Sequence, residues 1–261
     1  RKRKNAIIKK LINYKLAVRT IPDISDLASG KSTITEFINL DMDDLLGRIE
    51  VEPFQSLMKK NNFQKTIMIT GAGGSIGSEL CRQIIKQDPS KILLVEISEY
   101  ALYSIHSELD AANKSNIEII PLIGSVQDRQ RMKKIITIFK PTTIYHAAAY
   151  KHVPIVEHNL IEGLKNNLIG TFELAKLALE NDVLNFVFIS TDKAVKPTSI
   201  MGVTKRLAEL SLQALNDKKL SLSKGVKKTN FSIVRFGNVL DSSGSVIPKF
   251  REQIKSGGPI T

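Results

Sequence analysis

Several things that would assign this chain to a special class are scarce or missing. It has one cysteine, Cys81, among 261 residues, which excludes an internal disulfide and suits a reducing compartment. No apolar run approaches the ~18–20 residues that cross a bilayer, and the start does not follow a signal-peptide pattern. There is no internal repeat, no low-complexity tract and no ligand spacing that calls for a metal. Acidic residues are absent from the first twenty positions, which hold eight Lys or Arg. Aromatic side chains for base stacking are also scarce there, so the segment suits an anionic membrane surface better than nucleic acid. The chain opens on Arg1 without a methionine and reads as cut from something longer. What remains is ordinary globular material: 42% hydrophobic and 25% charged residues, with a net charge of +12 and enough apolar mass for a sizeable core.

Residues 5–16 have helical spacing, and 17–21 read as a short strand ended by Pro22. Residues 1–62 as a whole read as a basic linking segment. From Thr66 onward strands and helices alternate. The strands expected are Thr66–Thr70, 91–97, 117–123, Thr143–His146, 185–190 and 230–235. The helices expected between them are 75–87, Glu99–Ala112, Arg129–Phe139, 160–181 and 199–216, with 217–228 as a basic surface loop. This alternation predicts an α/β, Rossmann-like doubly wound parallel sheet, with ligands at the carboxyl ends of the strands.

The stretch Thr66–Ile85, TIMITGAGGSIGSELCRQII, organises the rest. An apolar strand meets Gly71, Gly73, Gly74 and Gly77, and a helix starts at Ser75 and Ile76. Strand, glycine turn and helix start leave backbone N–H groups pointing at an anion, which is the context a dinucleotide pyrophosphate requires. Glu96 closes the next apolar run at about the roughly 20-residue spacing expected of a ribose-binding acid. A carboxylate there hydrogen-bonds ribose hydroxyls and repels a 2′-phosphate, which favours NAD over NADP. The turn holding Ser125 and Val126 suits either an adenine edge or a helix cap. Ala147, Ala148 and Ala149 suit either a flat cofactor against the backbone or tight helix packing.

The fifth strand ends in Ser190, Thr191, Asp192 and Lys193, and Met201 and Lys205 follow on the next helix. An acid and an amine side by side can give and take protons on one substrate. A lysine acting as base needs its pKa lowered by burial or by a cationic neighbour such as Lys205. An ordinary ion pair at the helix start is the bland alternative.

TGAGGSIGSEL, HAAAYKHVP, STDKAVKPTSIMGVTKR and RFGNVLDSSGSVIPKF together resemble the extended short-chain dehydrogenase/reductases. Within that superfamily they are similar to the UDP-N-acetylglucosamine 4,6-dehydratases of bacterial polysaccharide and glycoprotein synthesis, in the large membrane-anchored form. The resemblance runs over residues 43–261. It implies NAD, a UDP-sugar substrate, a homo-oligomer, and upstream membrane helices that would place the protein at the cytoplasmic face of the inner membrane. It implies oxidation at carbon 4, loss of water across carbons 5 and 6, and hydride return to carbon 6. By position, Asp192 would protonate the departing 6-hydroxyl and Lys193 would remove the carbon-5 proton. Lys205 would bind the nicotinamide ribose. Lys151, His152, Asn238, Ser245, Val246 and Pro248 fall on the substrate side, as does Asn167, a helix asparagine supporting the site.

Three departures stand out. The superfamily's tyrosine base is Met201 here, as in the large family members, so Thr191 or a water is expected to relay the 4-hydroxyl proton toward Asp192. Ser125 stands where the family usually has an aspartate. The chain stops at Thr261, which implies a partial C-terminal substrate-binding region. A nucleotide-sugar epimerase and a non-catalytic nucleotide-binding module are the alternatives.

Overall fold

The structure is a computed structural model that describes residues 19–20, 38–39, 51, 53–113, 117–220, 229–239 and 246–261. The helix expected over 5–16 lies outside them. The chain divides into two units, Arg1–Pro53 and Phe54–Thr261. In the first, Arg19–Thr20 pairs antiparallel with Ile38–Asn39, within the strand expected at 17–21. Among the described residues no helix is long and apolar enough to cross a membrane.

The second unit is built on six parallel strands: β1 (Thr66–Thr70), β2 (Lys91–Glu96), β3 (Glu118–Ile123), β4 (Thr143–His146), β5 (Asn185–Thr191) and β6 (Asn230–Phe236). Their order is β3-β2-β1-β4-β5-β6, so the direction of winding reverses between β1 and β4. The expected doubly wound sheet is therefore present, and its switch point falls beside the glycine turn. Strands with both faces covered read as continuous apolar runs, because successive side chains enter opposite layers. Ile67, Ile69, Ile92 and Leu94 enter one layer, under α2 (Ser75–Ile85) and α3 (Glu99–Ala112). Met68, Leu93, Ile144, Phe186 and Phe188 enter the other, under α4 (Arg129–Phe139), α7 (Thr171–Glu180) and α8 (Ile200–Leu220). The helices start where side chains can cap them: Ser98 Oγ accepts from Ala101 N at 3.3 Å, and Asp128 Oδ1 from Arg131 N at 2.9 Å.

The helix expected over 160–181 is not continuous. It is α6 (Leu160–Leu164), a π-helical turn at Lys165–Gly170, and α7. Thr171 Oγ1 donates to the Asn167 carbonyl at 2.7 Å, drawing that oxygen into the interior. Gly170 lies so close to Val126 that a Cβ would sit 3.1 Å from its Cγ2. A period-3.6 pattern does not announce such a turn, since only one residue is added. The helix expected over 199–216 runs on through Leu220, so the first residues of the expected 217–228 loop are helical.

Three short helices lie outside the alternation read from sequence. α1 (Gln55–Asn62) has few apolar residues and is tied to the sheet by Tyr145 Oη donating to Asn62 Oδ1 at 3.1 Å. It belongs with the second unit, although the linking segment is expected to extend through Asn62. α5 (Val153–His158) carries Pro154 in its first turn, where the missing N–H costs nothing. α9 (Val246–Lys255) covers part of the segment assigned to substrate.

Candidate active site

The glycine turn is held by its neighbours on both sides. Gly71 has a φ of +67° and donates its N–H to the Val95 carbonyl at 2.9 Å. A Cβ on it would lie 2.7 Å from Ala148 N, which only glycine avoids. A Cβ on Gly77 would run into the Gly71 carbonyl oxygen, so α2 starts flush against the turn. Glu96 closes the far side. Its Oε2 accepts from Gly73 N at 3.0 Å, and its Oε1 from Ile97 N at 2.9 Å and Ser98 N at 3.2 Å. Three of about four acceptor positions are used, leaving room for one further donor.

A cavity of about 310 Å³ opens here, lined by Gly71, Glu96, Ser125, Val126 and all three alanines 147–149. The two roles left open for the 124–128 turn are divided: Gly124, Ser125 and Val126 line the cavity, and Asp128 caps α4. Both readings of the alanines hold as well, since Ala148 packs against Gly71 and also faces the cavity.

Across the switch point a larger cavity of about 910 Å³ shares Gly71, Gly74, Ala147 and Ala149 with the first. Ser75, Ile76, Gly77, Lys151, His152, Thr191, Lys193, Met201, Lys205 and Asn238 also line it. At its β5 end, Thr191 Oγ1 donates to Asp192 Oδ1 at 3.0 Å and accepts from Lys193 N at 3.3 Å. Lys193 Nζ donates to Asp192 Oδ1 at 3.3 Å and to Asn238 Oδ1 at 2.8 Å. The Thr191 hydroxyl, with Lys193 alongside, holds the Asp192 carboxyl below its ordinary range. Asp192 is 57% exposed and Lys193 39%, so the pair contributes little to stability and is open to a ligand.

Lys205 is buried, with Nζ donating to the Ile189 carbonyl at 2.6 Å and lying 4.0 Å from the Phe188 ring centroid. Burial pushes its pKa down to about 7, against a smaller upward pull from Glu209. Met201 is buried and lines the cavity where the superfamily places a tyrosine. Gly202 lets the start of α8 press on the Lys193 carbonyl, where a Cβ would collide.

Asn167 is corrected. It is fully buried behind the cavity wall, where it cannot touch a ligand. Its Oδ1 accepts from Tyr150 N at 2.8 Å, and its Nδ2 donates to the Tyr150 carbonyl at 2.9 Å and to Thr204 Oγ1 at 3.1 Å. It shapes the loop after β4 instead. Ser245 and the side chains of Val246 and Pro248 lie outside the described residues.

Two buried groups were missed by sequence reasoning. His146 Nε2 pairs with Thr171 Oγ1 at 2.8 Å, and its Nδ1 with Thr70 Oγ1 at 2.7 Å. Thr171 gives its hydrogen to the Asn167 carbonyl, so His146 donates from Nε2 and accepts at Nδ1, and the ring is neutral. Burial, and secondarily the Lys205 charge, push its pKa down to about 3. Glu209 is the second, and its position four residues after Lys205 was the available signal. Among the described residues no group of three or more His, Cys, Asp or Glu is placed to hold a metal ion.

A doubly wound sheet with a glycine turn at its switch point and an acid–amine pair at the fifth strand end defines an extended short-chain dehydrogenase/reductase of the nucleotide-sugar dehydratase and epimerase kind. The chain belongs to the polysaccharide biosynthesis protein family, whose match covers residues 67–261. It is 48% identical over 241 residues to the capsular polysaccharide biosynthesis protein CapD of Staphylococcus aureus, covering 92% of this chain and 39% of that protein. It is 34% identical to a UDP-N-acetylglucosamine 4,6-dehydratase (inverting) of Campylobacter jejuni, over 76% of this chain and 57% of that protein. A UDP-glucose 4-epimerase of Rickettsia canadensis is 32% identical, with 76% and 55% covered. The chain thus spans less than two thirds of each of these relatives.

Among solved structures, Pen from Bacillus thuringiensis superposes with a TM-score of 0.67 at 33% identity, over 75% of this chain and 58% of that one. DesIV, a dTDP-glucose 4,6-dehydratase from Streptomyces venezuelae with NAD and TYD bound, gives a TM-score of 0.63 at 20% identity, covering 75% of this chain and 63% of that one. That last likeness is one of fold.

Proposed function

We propose that this chain is the NAD-binding catalytic part of a dehydratase that converts UDP-N-acetylglucosamine to a UDP-2-acetamido-2,6-dideoxy-4-hexulose. The observation that carries this reading is the chain Thr191–Asp192–Lys193–Asn238 beside a cavity shared with the glycine turn, opposite a methionine at the tyrosine position. The groove fits NAD. Its glycines leave the turn bare of Cβ atoms, the N-terminus of α2 faces a pyrophosphate, and Glu96 has one acceptor position for a ribose hydroxyl. Ser125 and Val126 would hold the adenine end, and Lys205 the nicotinamide ribose. Bound NAD supplies hydride acceptance from carbon 4 and its return to carbon 6.

The residues of this chain handle the protons. Asp192 rests ionised and already accepts the Thr191 hydrogen, which equips it to take the 4-hydroxyl proton through that hydroxyl. Protonated Asp192 then gives the proton to the departing 6-hydroxyl, which leaves as water. Lys193 acts as the base that removes the carbon-5 proton and later restores one. Lys151, His152 and Asn238 hold the UDP-sugar side of the cavity.

An epimerase would need a proton-carrying base at position 201, and a thioether carries none. The basic start is assigned to an anionic membrane surface at the cytoplasmic face of the inner membrane. The decisive experiment is proton NMR of UDP-N-acetylglucosamine in deuterium oxide, with protein extended to the length of its relatives. A new 6-methyl signal with deuterium at carbon 5 is expected. No change in the presence of bound NAD overturns the reading.

A further inference from the structure

Glu209 sits one helical turn beyond Lys205 on α8, and its side chain is 0% exposed. Three elements send donors to it. Ser190 Oγ, on β5, reaches Oε1 at 2.6 Å. Arg235, on β6, donates Nε to Oε1 at 2.7 Å and Nη2 to Oε2 at 2.5 Å. Arg206 Nη1, on α8 itself, reaches Oε2 at 3.0 Å. Four donors fill a carboxylate's acceptor positions. Burial pushes the Glu209 carboxyl up, but the bonds from Arg235, Ser190 and Arg206 outweigh it and hold it below the usual carboxylate range.

The anchor points matter more than the count. Ser190 immediately precedes Thr191 and Asp192. Arg235 lies three residues before Asn238, the acceptor for Lys193 Nζ at 2.8 Å. Lys205, on the same helix, holds the Ile189 carbonyl next to Ser190. One carboxylate is thus bonded to the strand ends that precede both halves of the Asp192–Lys193–Asn238 cluster. It does not line the cavity, so it acts through these neighbours. The carboxylate is buried while the Arg206 and Arg235 side chains are 37% and 39% exposed, so the cluster sits at the edge of the fold, directly behind the β5 and β6 ends.

We infer that Glu209 is a positioning residue that fixes the spacing of the β5 and β6 ends, and so keeps Lys193 on Asn238 and beside Asp192. Its catalytic meaning rests on the dehydratase reading above.

The test uses the full chain and two variants, Glu209→Gln and Glu209→Gln/Arg235→Met. The double variant removes the guanidinium that Gln leaves short of an acceptor, and so separates stability from positioning. The first readout needs no substrate. It is the Lys193 ammonium signal in a lysine-selective 15N spectrum, assigned with Lys193→Arg, which is slow to exchange while Asn238 accepts from it. The signal is expected to broaden into exchange in both variants, while the melting temperature drops in the single variant and recovers in the double. In protein extended to the length of its relatives, turnover is expected to fall ~10- to 100-fold in both, with the nucleotide-sugar KM little changed. A Lys193 signal that persists in both variants, or turnover that recovers with the melting temperature in the double, overturns the inference. If the unmodified protein converts no nucleotide sugar, the dehydratase reading fails, and the ammonium signal still decides whether Glu209 sets Lys193.

Discussion

The two ends of the groove are made of different material. At the β1–β2 end the surface is main chain: Gly71, Gly74 and the alanines 147–149 bring backbone to the cavity, and Glu96 is spent largely on backbone N–H groups. At the β5–β6 end it is side chains that touch one another: Thr191, Asp192, Lys193 and Asn238 in front, with Glu209, Ser190 and Arg235 behind. The first end leaves no room for a Cβ at Gly71 or Gly77, and the second is held by hydrogen bonds that depend on proton and charge.

The most severe way to break this contrast is Gly77→Ala. The new Cβ meets the Gly71 carbonyl oxygen, a backbone atom that cannot swing away. Overpacking of this kind costs about 3 kcal/mol, so the urea midpoint should drop and NAD should no longer be retained. An unchanged midpoint would mean that the turn is softer than its packing implies.

The opposite end should respond the other way. Lys193→Met and Asp192→Asn are expected to lower turnover by about 10²- to 10⁴-fold. Because the pair is exposed, its loss should cost stability under about 1 kcal/mol. Methyl-signal NMR and a melting curve on the same sample check both halves of this statement.

A smaller effect sharpens the comparison within the β5 end. Thr191→Val removes the hydroxyl that links Asp192 to the Lys193 N–H, and turnover should fall about tenfold. Unchanged turnover would assign the 4-hydroxyl proton to a water instead.

His146, on β4, links β1 to the start of α7 through Thr70 and Thr171, and its effect lies in stability. Its pKa is about 3 in the folded protein against an ordinary 6.5. The unfolded chain therefore takes up the proton first as pH falls. His146 favours folding fully above about pH 6.5, and that contribution is lost between there and about pH 3, with a slope of at most about 1.4 kcal/mol per pH unit. Urea midpoints from pH 4 to 8 should show the decline, and His146→Phe should flatten it.

The contrast also explains what could be read in advance. The glycine turn, Glu96 and the six strands were legible because each rests on local chemistry: a short apolar run, a residue with no Cβ, an acid at a strand end. Asp192 and Lys193 were visible as neighbours in sequence, but their partner Asn238 lies on another strand. Asn167 was grouped with the substrate residues only through the family resemblance, as a helix asparagine supporting the site. The π-helical turn carries it behind the wall to Tyr150. Glu209 acquires its partners only in the fold, where Ser190 and Arg235 are brought to it from two strands.

By itself the sequence determined the alternation of strands and helices, the phosphate-facing turn and, at position 201, a side chain that carries no proton. These depend on periodicity, on the absence of a Cβ and on what a thioether can do, all properties of short segments. The tertiary structure decided which side chains face the cavity and which stand behind it. It also made His146 neutral and gave Glu209 four donors from three elements. Burial and cross-strand partners set those states, and both exist only once the sheet has closed distant segments together.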